Sequence, residues 1–303
     1  MAVTPECVVE HAEMETAFLM PSAALEYDGV QHLWPVAFSE ESGQPPRVFH
    51  LESTDGRTWT GDPDASLLDG EILGLNGIGP IPSSVLVEPD GTWRLFGGGR
   101  LAGSDQAVVW TATAPQPDGP WTLVAEPILR PERGSWDNFI ADHPSVVRTD
   151  DGYLMAYGGA GMAAPNRHRI GMARSSDGLD WERIPVTLEG ADDGDAMGPA
   201  ACGIEARTMF EPELRRVDDG YRLHFGVMTL EGDEMVIGSA TSSDGLTWTC
   251  DATQPVLEPS DFAGRPRLHS YTEFTVEGSS HLLVEVLDDA GPSSDIWLVD
   301  PGD

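Results

Sequence analysis

The chain has 303 residues, 40% of them hydrophobic, and carries 51 acidic against 17 basic side chains for a formal net charge of −34 at pH 7. A surface this acidic repels phosphate backbones and anionic lipid, so neither nucleic acid nor membrane is expected as a partner. All 17 basic residues are Arg, and the acidic, Lys-free composition fits either a high-salt habitat or a GC-rich genome.

The N-terminus, "MAVTPECVVEHAEMET", has neither a basic start nor an apolar stretch of signal-peptide length. No run is long enough to span a bilayer, and a cytoplasmic protein is expected. Cys7, Cys202 and Cys250 are far apart and show no Cys-x-x-Cys spacing, so neither a zinc knuckle nor a disulfide framework is expected.

Five segments then align on a turn glycine. They are "MPSAALEYDGVQHLWPVAF" from Met20, "IPSSVLVEPDGTWRLFGGG" from Ile81, "HPSVVRTDDGYLMAYGGAG" from His143, "EPELRRVDDGYRLHFGVMT" from Glu211 and the weaker "HSYTEFTVEGSSHLLVEVL" from His269. Each reads as an apolar strand, a tight turn at Gly29, Gly91, Gly152, Gly220 or Gly278, and a second strand rich in β-branched and aromatic residues. A second phrase recurs as "ESTDGRTW" (52–59), "RSSDGLDW" (174–181) and "TSSDGLTW" (241–248), with a looser "QPDGPW" (116–121). It predicts an Asp-Gly turn between outer strands, with Trp free to pack between sheets.

Four strands in a unit of about 60 residues, repeated so that each buries its face on a neighbour, predict an all-β chain. The expected fold is one domain over 1–303, a five-bladed β-propeller of four-stranded antiparallel blades. The C-terminal "DIWLVD" (295–300) ends the last blade, and "ECVVEH" (6–11) is expected to complete it. The acidic "EGADDGDAMGPAACG" (189–203) reads as a surface loop. "FGGGRLAG" (96–103) follows a strand with no helix to hold a phosphate, which argues against a nucleotide site. "APNRHRIG" (164–171) places Arg167, His168 and Arg169 in a loop, where they either bind an anionic group or balance nearby carboxylates. Arg207 and Glu205 are placed to line the entrance to a site, while His32, His50 and His224 lie within strands and read as structural.

In a propeller the first strand of each blade runs along the central shaft. On the glycine alignment the heads of those strands are Met20, Ile81, His143, Glu211 and His269, so His, Glu and His face one mouth beside two apolar side chains. Pro144 and Pro212 suit a strand start, where no ladder hydrogen bond is needed. The set His143, Glu211 and His269 can hold a divalent metal, since imidazole and carboxylate suit zinc, iron or manganese. It can also work as an acid–base pair without metal, and no cofactor is otherwise indicated. Met20 and Ile81 would form an apolar wall, with Trp136 beside them.

"ADHPSVVRTDDGYLMAYGG" (141–159) and "FEPELRRVDDGYRLHFG" (210–226) resemble two motif blades of the five-bladed propeller glycoside hydrolases of the family 43 and family 32 type. The resemblance implies a carbohydrate or other small-molecule substrate and three carboxylates at the shaft mouth, with Glu211 matching the general acid. The chain departs from it in two places: Met20 stands where the first-blade carboxylate is expected, and His143 where the third-blade Asp is expected, with Asp142 one residue earlier. Asp142 or Asp137 reaches the pocket only if the strand is locally distorted, because a one-residue shift turns a side chain to the other face. The expected function is therefore a glycosidase-like enzyme with Glu211 as acid and Asp142 and His143 as its companions. The alternatives are a non-hydrolytic lyase, isomerase or cyclase using His143, Glu211 and His269, and a sugar-binding propeller without catalysis.

Overall fold

The computed structural model describes residues 5–10, 16, 18–38, 46–62, 64–68, 75, 79–188, 196–198, 202, 204, 206–230, 234–250, 255–264, 266–276, 278–287 and 293–300. Among them the regular elements are strands apart from one 3-10 turn at Pro259–Asp261, and no helix is long and apolar enough to cross a membrane. In chain order the strands are β1 (Glu6–Val9), β2 (Phe18–Tyr27), β3 (Val30–Phe38), β4 (Arg47–Val48), β5 (Leu51–Ser53), β6 (Thr60–Gly61), β7 (Ile81–Val87), β8 (Trp93–Arg100), β9 (Ala107–Ala114) and β10 (Thr122–Leu123). They continue with β11 (Ile140–Thr149), β12 (Gly152–Ala160), β13 (Arg169–Ser175), β14 (Glu182–Ile184), β15 (Thr187–Leu188), β16 (Ala206–Val217), β17 (Gly220–Thr229), β18 (Met235–Ser242), β19 (Thr247–Cys250), β20 (Arg267–Val276), β21 (Ser279–Leu287) and β22 (Ser294–Val299).

The residues form two compact units, one of 1–95, 112–125 and 259–303, the other of 96–111 and 126–258. In the first unit β2-β3-β5-β6 make one sheet, with β4 also on β3, and β1-β22-β21-β20 make another. The N-terminal strand thus completes the last sheet antiparallel, Glu6 opposite Leu298 and Cys7 opposite Trp297. Leu19, Leu33, Phe49, Leu51, Phe274, Leu283, Ile296 and Leu298 form its core. In the second unit β11-β12-β13-β14 pair antiparallel in one sheet, and β15-β19-β18-β17-β16 make a second. Leu154, Ile170, Met172, Leu214, Leu223, Phe225 and Trp248 pack together there.

The Ser-x-Asp-Gly phrase has one local solution in three places. The hydroxyls of Ser53, Ser175 and Ser242 each accept the amide of the glycine three residues on, at 2.9 Å. Asp55, Asp177 and Asp244 each accept two further backbone amides at 2.8 to 3.0 Å. Those amides hold all three carboxyls below the usual range, Asp55 at about 2. The glycines sit at φ 69°, 76° and 75°, the left-handed region that a Cβ disfavours.

Two sequence expectations need correction here. Cys202 and Cys250 form a disulfide across 48 residues, which their spacing alone did not suggest. The turn glycine, too, is not one structural position. Gly29 lies inside the loop that joins the paired residues Tyr27 and Val30, whereas Gly152 and Gly220 are the first residues of their second strands, opposite Thr149 and Val217. Gly152 and Gly220 sit at φ 136° and 140°, and a Cβ on either would stand 2.2 Å from the carbonyl oxygen of Ser175 or Ser242, so these glycines serve both the backbone conformation leaving the turn and close strand approach. Alignment on glycine therefore slips by one residue in the first repeat.

Candidate active site

The ladders themselves give the proper register. In four repeats the pairing of the first hairpin jumps: between Met20 and Ala23, Asp142 and Ser145, Phe210 and Glu213, and Leu268 and Tyr271. Each jump is a β-bulge that leaves two residues out of the ladder. The equivalent bulged residues are Pro21, His143, Glu211 and His269, and Met20 is the counterpart of Asp142 rather than of His143. Pro144 and Pro212 follow directly, in places where a missing N–H costs nothing.

The bulges at His143 and Glu211 share a second property. Their φ angles are +46° and +47°, a conformation that residues with a Cβ rarely adopt. Each costs of order 1–3 kcal/mol and persists only where the surroundings dictate it. This left-handed step also resolves the one-residue offset of Asp142. In a flat strand Asp142 and His143 would face opposite ways; at this bulge Asp142 Oδ1 lies 3.0 Å from His143 Nδ1, with 14% and 29% of the two side chains exposed.

The electrostatics follow from that contact. Burial works against a charge on His143, but the Asp142 carboxylate, reinforced by Glu211, wins and raises the imidazole to about 9. Burial likewise opposes ionisation of Asp142, and His143, then His168 and Arg100, outweigh it and leave the carboxyl below its ordinary value. His168 is pushed down, chiefly by burial, with Asp142 pulling the other way. Its ring is tied to the Pro165 carbonyl, and its amide donates to Thr208 Oγ1 at 2.7 Å, fixing the loop before β13 against β16. At neutral pH the pair therefore holds an imidazolium at His143 beside an aspartate at Asp142.

Glycines make room for it. A Cβ on Gly98 would meet Asp142 Cβ at 3.0 Å and His143 N at 3.1 Å, and one on Gly158 would meet Asp142 Oδ1 at 3.3 Å. The Trp110 indole donates to the Gly98 carbonyl at 2.7 Å and fixes that strand in place. The glycine-rich run at 96–103 thus seats the Asp142–His143 pair and delivers Arg100, a residue that no sequence motif singles out. Its visible signal is a lone Arg directly after three glycines.

Trp136 and Asp137 belong elsewhere. Gly158 faces Asp142 while Gly159 faces Trp136, whose ring would lie 2.7 Å from an added Cβ. Successive residues of a strand point to opposite sides, so Trp136 is across the sheet from the Asp142 cluster. There it stacks on Tyr157 at 5.8 Å and helps line a cavity of about 380 Å³. Asp137 is fully buried beside it; Oδ2 accepts from Arg183 Nε at 2.8 Å and from the Tyr157 hydroxyl at 3.1 Å. Burial and this carboxylate push the Tyr157 phenol far up. The Asp137–Arg183 pair ties the 130s loop to β14.

Arg167 and Arg207 are exposed, Arg167 in the loop before His168 and Arg207 near the start of β16. Met20 and Ile81 are buried, 7% and 9% exposed, in the first unit. His269 lies in that unit as well, so of the three expected metal ligands only His143 and Glu211 share a unit. The His269 side chain is 63% exposed, and its Nδ1 is held 2.9 Å from Glu285 Oε2. Glu285 is itself 2% exposed and accepts from the hydroxyls of Ser270 and Ser294, each at 2.7 Å. The ring of His269 is thus oriented by a buried carboxylate, which the sequence did not reveal because Glu285 lies on the partner strand.

The fold is similar to that of several solved glycoside hydrolases, among them family 43 and family 32 enzymes. BT0996, solved in an RGII complex, superposes with a TM-score of 0.71 at 16% identity, covering 93% of this chain and 86% of its own. A thermostable family-43 glycoside hydrolase gives a TM-score of 0.66 at 15% identity, with 93% and 88% of the two chains covered. The Bombyx mori family 32 β-fructofuranosidase BmSUC1 gives 0.68 at 15% identity over 97% of this chain and 61% of its own length. No protein-family model matches the sequence. No curated protein matches it. The likeness is one of fold.

Proposed function

We propose that the chain is a single five-bladed β-propeller over residues 1–303 and a glycosidase-like enzyme acting on a carbohydrate or glycoside. Glu211 is the general acid, and Asp142, ordered by His143, is the second carboxylate. The observation that carries this reading is the matched pair of left-handed bulges, which sets Glu211 on β16 in the electrostatic field of the Asp142–His143 pair on β11. Hydrolysis of a glycosidic bond needs one carboxyl kept ionised and another able to donate a proton. Asp142 fits the first role, since His143, His168 and Arg100 hold it as a carboxylate. Arg100 and His168 add donors suited to sugar hydroxyls or a uronate carboxylate. One fold neighbour, a mutant of the Bombyx mori β-fructofuranosidase, was solved in complex with sucrose. Sucrose and RGII therefore belong in the first substrate panel. The Cys202–Cys250 bond favours an oxidising compartment over the cytoplasm.

The test is hydrolysis of that panel and of aryl glycosides by wild type, Glu211→Gln and Asp142→Asn. Loss of a proton donor or of its partner carboxylate costs roughly 10²- to 10⁴-fold in rate. A Glu211→Gln enzyme that retains full activity removes Glu211 from the mechanism.

A non-hydrolytic acid–base reaction, such as a lyase step, is the second reading. It is favoured by the His269–Glu285 pair, because a buried carboxylate holds an exposed imidazole in one orientation, as an acid–base group requires. An unsaturated sugar product, seen by its ultraviolet absorbance and lost in His269→Ala, distinguishes it from hydrolysis.

A further inference from the structure

The first unit contains a second cluster of chemistry-bearing side chains. On β3 and β5, His32 and Glu52 are directly opposed in the antiparallel ladder. His50, two residues before Glu52, shares its face by the period-two alternation of an extended chain. The outcome is a compact triad. His32 Nδ1 lies 3.0 Å from His50 Nε2 and 3.6 Å from Glu52 Oε1, and all three ligand atoms fall within 4.8 Å of one another. We infer that His32, His50 and Glu52 form a binding site for a divalent transition metal of the zinc class.

Geometry is the main argument. Zinc binds imidazole nitrogen at about 2.0–2.1 Å in a tetrahedral arrangement, which separates two ligand nitrogens by about 3.3 Å. The two imidazoles already stand within a few tenths of an ångström of that spacing, with the carboxylate oxygen in reach of a third position. His32 would coordinate through Nδ1 and His50 through Nε2, and the fourth position is left to solvent on the side of Glu52.

The surroundings suit the purpose. His32 and His50 are only 5% and 9% exposed, while the Glu52 side chain is 51% exposed and marks the way in. Trp34 stacks on His50 with ring centroids 4.9 Å apart, and Trp93 meets His32 edge-on at 5.0 Å. These indoles fix both rings and keep water from their flanks, as outer-shell groups do around metal sites. Burial also lowers both imidazoles, His50 to about 4, so they are neutral ligands at pH 7. The carboxylates of Glu26 and Asp118 act on His32 and His50 respectively, adding negative potential for a cation.

The competing arrangement is a bare His–His hydrogen bond capped by Glu52. Full-length protein stripped with chelator and then titrated with Zn²⁺ by calorimetry distinguishes the two, with Co²⁺ followed by its visible absorption as the second probe. One ion per chain is expected, with a Tm that rises with metal concentration as linkage requires. His50→Gln and Glu52→Gln should each weaken binding by at least about tenfold. Glu52 is exposed, so its variant folds and keeps the test valid. Absence of Zn²⁺ and Co²⁺ binding, or full affinity in either variant, overturns the site.

Discussion

Asp142→Asn removes a carboxylate while keeping the shape of the side chain that contacts His143. In the wild type the folded imidazole is raised from 6.5 to about 9, which corresponds to about 3 kcal/mol of favourable interaction with the charged ring. Because the folded value is the higher one, that stability is fully present below pH 6.5 and is lost as pH rises through 9. In the variant, burial remains, the principal anion is gone, and only Glu211 still favours the charge. The imidazole should fall well below 9, and at pH 7 the protein should be less stable by about 3 kcal/mol. The decline in stability between pH 6.5 and 9 should flatten at the same time. Imidazole NMR titration reads the first quantity, and urea unfolding at several pH values reads the others. A His143 resonance that still titrates near 9 in the variant would refute the pairing.

Three further outcomes are expected. Gly98→Ala drives a methyl into Asp142 Cβ and the His143 amide at 3.0 and 3.1 Å; urea unfolding should show a loss of about 1–3 kcal/mol, and any glycosidase activity should fall with it. Arg183→Met strands the fully buried Asp137 carboxylate and should cost about 3–5 kcal/mol by the same assay, with much of the loss recovered when Asp137→Leu is added. Cys202→Ser opens a disulfide that spans 48 residues, and the chain-entropy relation puts the loss at about 4 kcal/mol, measurable as the gap between oxidised and reduced unfolding curves.

The hairpins and the Ser-x-Asp-Gly turns were legible because each is a local device whose residues are only two or three apart. The head of each first strand was legible as a special place but not in its register, since Gly29 and Gly152 do different jobs in similar-looking turns. Asp142 is visibly offset by one residue, yet nothing in "ADHPS" announces a left-handed His143. Contacts between separate strands and loops leave no trace in the sequence: Glu285 behind His269, His50 beside His32, Cys202 with Cys250. Trp136 was misplaced because a propeller-shaft argument cannot say which face of the sheet the 130s loop covers. Arg100 carries no motif of its own, and the glycines before it speak only against phosphate binding.

The pairing of β1 with β22 also sets an order of assembly. Strands β11 to β19 lie within a continuous stretch, so their sheets can form from chain that is already present during synthesis. Residues 6–9 must wait for residues 296–298 before their backbone amides find partners, a separation that imposes a large loop-closure penalty and slows the step. Until then β1 is an unpaired edge able to join the wrong strand. A chain halted before Ser294 never acquires the strand that β1 and β21 share, so both would be left with an unpaired edge where β22 belongs.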